Sequence, residues 1–238
     1  MTTTFVLVPG AGGQAWFWHR LVAELEGRGH RAVSVALPSG DDSAGLSAYA
    51  STVVAAIGDR SPIVLVAQSM GGLTAPLVCT RAPVDLLVLV NAMIPLPGET
   101  GGEWWAATGQ GEAQAAYWRE LGLPGEPDEK STYFHDVPAD VVAAAMTQEF
   151  VQSDRPFEDP WPLERWPDVP TRVVAGRQDR LFPLEFQRKI AAERLGLDVD
   201  EVPGGHCLAL SRPSELADLL EGYLGSRYAI PLSRSIRA

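Results

Sequence analysis

Cysteine is scarce: Cys79 and Cys207 are the only two in 238 residues. Two thiols cannot form a disulfide framework for a chain this long, and nothing around them has metal-ligand spacing, so a reduced, cytoplasmic protein is expected. Basic charge is also short. Nineteen Lys and Arg stand against thirty Asp and Glu, a formal net charge of −11. Such a chain repels phosphate backbones, which argues against a nucleic-acid partner. No apolar run reaches the ~18 residues of a membrane span. The N-terminus "MTTTFVLVPG" has no basic segment and reads as a first strand, not a signal peptide. Internal repeats and low-complexity tracts are missing too.

What is present is an ordinary globular mixture, 46% hydrophobic and 21% charged, long enough to bury one large core. Short apolar runs alternate with longer amphipathic segments. "TFVLVPG", "RAVSVAL", "PIVLVAQ", "VDLLVLVNAM", "TRVVAGR" and "LDVDEVPG" read as strands. "AWFWHRLVAELEGRGH", "GLSAYASTVVAAIGD", "PLEFQRKIAAERLG" and "RPSELADLLEGYLGSRY" read as helices, and another follows Ser69. Strands of Val, Ile and Leu alternating with helices predict an α/β protein with a mostly parallel sheet covered on both faces.

One segment breaks the alternation. Residues 95–167 contain no convincing strand but hold five of the seven tryptophans, Trp104, Trp105, Trp118, Trp161 and Trp166. They read as a helical insertion into a core made of residues 1–94 and 168–238, the whole forming a single domain. An insertion at the C-terminal end of a strand sits over the crevice where such sheets bind ligands, so it reads as a lid. A helical decoration with its own small core is the plainer alternative. Trp104, Trp105 and Trp118 are the expected substrate-binding aromatics.

The chemistry starts at "VLVAQSMGGL", residues 64–73. An apolar strand ends on Ser69, and small residues flank it at Ala67 and Gly71. A strand that turns abruptly into a helix needs such residues where the chain crosses itself, and the bend lifts the hydroxyl above the sheet. "AQSMGG" therefore looks like a nucleophile elbow, usually G-x-S-x-G, with alanine for the first glycine. A serine N-cap is the competing reading. Pro76 is discordant, since it removes a helical hydrogen bond to Gly72.

A serine needs a base, and the base an orienting group. His19 and His30 sit in a charged helix and a polar turn. His135 lies in the insertion. His206, in "VPGGHCLAL" after the last strand, is favoured as base because a loop at a strand's C-terminal end can meet Ser69. Asp179, in "VVAGRQDRLFP" just ahead of a helix opened by proline, is favoured as the orienting acid. The loop after "LLVLVNAM" offers only Asn91. Ala11 and Met70 are the expected backbone donors to an oxyanion, and Gly10 lets the first loop approach the serine. The same loop lacks the pattern of a phosphate-binding loop.

With these residues in hand, the chain resembles the α/β-hydrolase fold family over nearly its full length. The order Ser69, Asp179, His206 matches that family. "FVLVPGAGGQAWFWHRL" is similar to the opening of plant methyl-ester esterases, hydroxynitrile lyases and their bacterial relatives, roughly H-G-A-x-H-G-A-W-x-W. Pro9 and Gly13 replace the two histidines. The lyases carry a threonine where this chain has Gly10 and a lysine where it has Cys207, which argues against lyase activity here. The resemblance implies a serine hydrolase, foremost a carboxylesterase, with no cofactor or metal and a small-molecule substrate. Lactonase, thioesterase, C–C bond hydrolase and cofactor-free peroxidase chemistry share the same triad, and a small-molecule receptor shares the fold. The acidic charge favours a neutral ester with an apolar or aromatic portion. The tail "AIPLSRSIRA" could fray or pack on a second copy to give a homodimer.

Overall fold

The computed structural model describes residues 2–123 and 128–225. Six parallel strands form one sheet: β1 (Thr4–Val8), β2 (Arg31–Ser34), β3 (Ile63–Gln68), β4 (Leu86–Val90), β5 (Thr171–Gly176) and β6 (Val199–Val202). Their spatial order is β2-β1-β3-β4-β5-β6. The chain leaves β1 toward one edge, then returns to lay β3 on the other side of β1. Loops after β1 and β3 therefore diverge, and a crevice opens between them at the C-terminal edge of the sheet.

Two-residue periodicity divides the apolar side chains between two cores. Val6, Val8, Leu65 and Ala67 face one side, against Tyr49, Ala50 and Val53 of α2 (Leu46–Ile57), Leu73 of α3 (Gly71–Cys79) and Ile190 of α9 (Leu184–Leu195). Phe5, Leu7, Val64 and Val66 face the other, against Leu21 and Leu25 of α1 (His19–Gly27) and Leu216 and Leu220 of α11 (Pro213–Gly225). β1, β3 and β4 are interior strands buried on both faces, which is why their sequences are continuous apolar runs rather than alternating ones.

Most elements lie where the sequence periodicity puts them. The first helix opens as a 3₁₀ turn, Ala15–Trp18, before α1. α3 runs through Pro76 to Cys79. The fourth strand is shorter than expected: it stops at Val90 because Asn91 takes a left-handed φ of 46°, which turns the chain out of the sheet. A short helix, α10 (Leu208–Ser211), precedes α11. The end of the expected last helix, residues 226–228, and the tail after it lie outside the described residues.

Between β4 and β5 the described residues form five helices: α4 (Gly101–Thr108), α5 (Gln110–Glu120), α6 (Glu129–Tyr133), α7 (Ala139–Ala145) and α8 (Arg155–Glu158). A Thr100–Glu103 capping box starts α4. A Thr100–Pro160 bridge draws the two ends of the insertion together. Trp161 and Trp166 sit below this neck, bonded to the Leu73 carbonyl and the Thr171 hydroxyl at 3.1 Å each. No described helix is long and apolar enough to cross a membrane.

Candidate active site

Ser69 follows directly on β3 with φ 53°, a left-handed conformation that costs a non-glycine residue energy. Its N–H is shared between the carbonyls of Val90 and Asn91, at 3.3 and 3.2 Å, and its own carbonyl accepts from Met93 N–H at 3.0 Å. The turn is thus clamped to the end of β4. Three glycines make room for it. A Cβ on Gly71 would stand 2.8 Å from the Pro9 carbonyl, and one on Gly72 only 2.0 Å from that of Met93. A Cβ on Gly10 would meet Ser69 Cβ at 2.8 Å. Gly72 makes the tightest crossing, one residue beyond the Gly71 that the motif reading singled out.

Asp179 lies in the loop after β5 and is wholly buried. Its Oδ1 accepts the N–H groups of Leu181 (2.8 Å) and Phe182 (2.9 Å). Its Oδ2 faces His206 Nδ1 at 2.9 Å. A carboxylate can only accept, so Nδ1 carries the proton and Nε2 is left with its lone pair. The imidazole sits edge-on to Phe182 and Tyr133, with ring centroids 5.3 and 5.5 Å away. These rings exclude water from the pair and fix its plane.

The His206 loop is anchored from several sides. Gly204 N–H donates to Gln178 Oε1 at 2.6 Å, and Gly205 N–H to Asp136 Oδ2 at 2.8 Å. Gln68 Nε2 donates to the His206 carbonyl at 3.2 Å. Gly176 permits the close approach, because a Cβ there would meet the Gly205 carbonyl at 2.5 Å. His135, the weaker candidate base, binds the Gln178 carbonyl through Nε2 at 3.0 Å. Burial pushes its pKa down from the ordinary histidine value.

Ser69, His206, Gly10, Ala11 and Met70 line one cavity of about 380 Å³. No acceptor among the described residues takes the N–H of Ala11 or Met70, so two backbone donors are spare beside the serine. Half of the remaining wall is aromatic, with Trp105, Tyr133, Phe134, Phe150 and Phe157 from the insertion and Phe17 from the 3₁₀ turn before α1. Among the described residues its lining includes no Lys or Arg, and Glu129 is its single acidic member. Cys207 follows His206 in the wall, and burial holds its thiol well above the usual range.

Two of the aromatics expected at the substrate are elsewhere. Trp104 is 1% exposed and packs on Phe182 and Phe186, with Nε1 bonded to the Ile94 carbonyl at 3.0 Å. Trp118 bonds the Arg180 carbonyl at 3.1 Å. Neither lines the cavity; Trp105 does. Adjacent helical residues point about 100° apart, so "WW" puts one ring in the core and one at the crevice. No group of three or more His, Cys, Asp or Glu among the described residues could hold a metal ion.

Known proteins share this architecture. The rice (Oryza sativa subsp. japonica) esterase PIR7B is 30% identical over 258 aligned positions, covering 91% of this chain and 93% of its own. Methylesterase 3 of Arabidopsis thaliana is 26% identical, covering 90% of this chain and 93% of its own. A pyrethroid hydrolase from Sphingobium faniae superposes with a TM-score of 0.76 at 21% identity, covering 95% of this chain and 98% of its own, a likeness of fold. Residues 5–219 match the alpha/beta hydrolase family as a whole, and with that span covered the chain belongs to it.

Proposed function

We propose that this alpha/beta hydrolase is a serine carboxylesterase for small neutral esters with an apolar or aromatic portion. The observation that carries the reading is the buried Asp179–His206 pair at 2.9 Å, opening into the cavity that Ser69 also lines. Ser69 Oγ attacks the acyl carbonyl while His206 Nε2 takes its proton. Asp179 holds Nδ1–H, keeps the ring in the tautomer that leaves Nε2 basic, and stabilises the imidazolium. The spare N–H groups of Ala11 and Met70 receive the negative charge that grows on the carbonyl oxygen. As the tetrahedral intermediate collapses, Nε2 returns its proton to the leaving alcohol. Water then repeats the sequence on the acyl-enzyme, giving the carboxylic acid and free Ser69.

The aromatic wall supports the substrate class. It offers apolar area to an acyl or aryl group, and its described residues include no Lys or Arg to pair with a carboxylate or phosphate. The helices of the insertion serve as the lid that carries this wall. The residue after His206 is a neutral thiol rather than a cation, which supports hydrolysis over release of an anion such as cyanide. The similarity to plant esterases points the same way.

The test is steady turnover of p-nitrophenyl acetate together with labelling by a fluorophosphonate. Ser69→Ala should lower kcat by at least about 10³-fold and abolish the label, because members of a triad act as a unit. Label on another serine, or undiminished turnover in the variant, would reject the assignment.

A further inference from the structure

Asn91 is a fully buried polar residue just beyond β4, outside the proposed triad, yet it touches all three of the segments that supply it. Its backbone carbonyl accepts from Ser69 N–H at 3.2 Å, and its N–H donates to Val174 of β5 at 2.9 Å. Its side chain reaches the third segment. Nδ2 donates to the Gly205 carbonyl at 3.0 Å and to the His206 carbonyl at 2.9 Å. Oδ1 accepts Gly176 N–H at 2.7 Å and Gln187 Nε2 at 3.2 Å. Gln187 in turn stands 3.5 Å from Asp179 Oδ2.

Both protons and both lone pairs of the amide are therefore used. Only an amide fits this set. A carboxylate would turn acceptor lone pairs on the Gly205 and His206 carbonyls, and an alkyl group would strand the buried Gly205 carbonyl and Gly176 N–H. The left-handed backbone at this position is also one that asparagine tolerates better than most residues.

Resting on the serine-hydrolase reading, we infer that Asn91 is a positioning residue: its amide sets the distance and angle at which His206 meets Ser69. It holds the peptide of the base to the turn of the nucleophile without touching the reacting atoms. Displacing a base by about 1 Å is enough to cost on the order of 10²-fold in rate. Asn91 does not line the cavity, so binding should be spared.

The experiment compares Asn91→Asp and Asn91→Ser with wild type, using kcat and KM for p-nitrophenyl acetate, the rate of fluorophosphonate labelling at Ser69, and circular dichroism for folding. Wild-type turnover and labelling are measured first. Their absence overturns the serine-hydrolase reading and the role of Asn91 with it. Given both, Asn91→Asp should lower kcat and the labelling rate together by about 10²-fold, with KM within about twofold. Asn91→Ser keeps one donor and should fall in between. A folded Asn91→Asp whose kcat stays within about twofold overturns the inference while leaving the triad standing. If Asn91→Asp does not fold, Asn91→Ser decides: a lower melting temperature with kcat and labelling unchanged means that Asn91 holds only the fold.

Discussion

Gly10 and Ser69 are in such close contact that a Cβ built on the glycine would stand 2.8 Å from that of the serine, and 3.3 Å from the Gln68 carbonyl. Gly10→Ala must therefore push the loop after β1 away from Ser69, since neither neighbour is the free end of a flexible side chain. We expect kcat to fall roughly tenfold to a hundredfold as Ala11 leaves its place beside the serine. Overpacking should cost about 1–3 kcal/mol of stability. Ester kinetics and urea unfolding of the same variant check both; unchanged kcat would mean that the loop contributes nothing to the oxyanion.

Asp179→Asn should separate geometry from proton placement. The amide oxygen can still accept from Leu181 and Phe182 N–H, so the loop should hold. Its NH₂ would then face Nδ1 and force the proton onto Nε2, which removes the base. A loss of roughly 10²–10⁴-fold in kcat with a near-normal circular dichroism spectrum is expected. Near-normal rates would place the orienting acid elsewhere.

Trp104 and Trp105 should respond oppositely to truncation. Trp104→Ala removes a buried ring from between Phe182 and Phe186 and should cost roughly 3–5 kcal/mol whatever ester is offered. Trp105→Ala should act on KM, more for aromatic esters than for acetyl esters, because that ring lines the cavity. Melting curves beside a two-ester comparison decide. Equal substrate effects in the two variants would refute the division.

His135 gives a pH dependence of stability. Burial depresses its pKa in the folded state, chiefly by desolvation, with Asp136 opposing. The unfolded chain therefore binds a proton first, near the ordinary value of about 6.5, and stability falls as pH drops below that point. Above it both states are neutral and nothing changes. His135→Gln, which can still donate to the Gln178 carbonyl, should flatten the loss between about pH 6.5 and 5. Chemical unfolding across that interval is the check, and an unaltered slope would assign the acid sensitivity to other groups.

The sheet was readable because interior parallel strands must be apolar on both faces, which leaves runs such as "IVLVA" with little ambiguity. Ser69 stood out as a polar residue at the end of such a run, whereas Asp179 and His206 were proposed from the loops after β5 and β6. Asn91 was hidden by the same logic: "LLVLVNAM" reads as one strand, and only its positive φ shows that the chain has already turned. Nothing local announces that an amide there will meet residues 85 to 115 positions away. His30 does follow the turn after α1, as read, but its contact with Glu221 Oε1 at 3.0 Å, 191 residues on, has no local signal either. Trp104 and Trp105 could not be sorted without the orientation of α4, since composition counts rings but not the faces that they occupy.

The Thr100–Pro160 bridge has a further consequence for how such a molecule can change. Gly98 N–H binds the Trp161 carbonyl and Trp161 N–H the Glu99 carbonyl, both at 2.9 Å, so the insertion leaves and re-enters the body through one doorway. Loop-closure cost grows only slowly with length, and here both jambs are fixed. The sheet register is then indifferent to what passes through. Material between Thr100 and Pro160 can be rewritten without shifting the sheet register, provided that Tyr133, Asp136 and Trp118 keep their hold on the loops that carry His206 and Asp179. A chain built this way can refurnish the room above the sheet as long as those few struts are left standing.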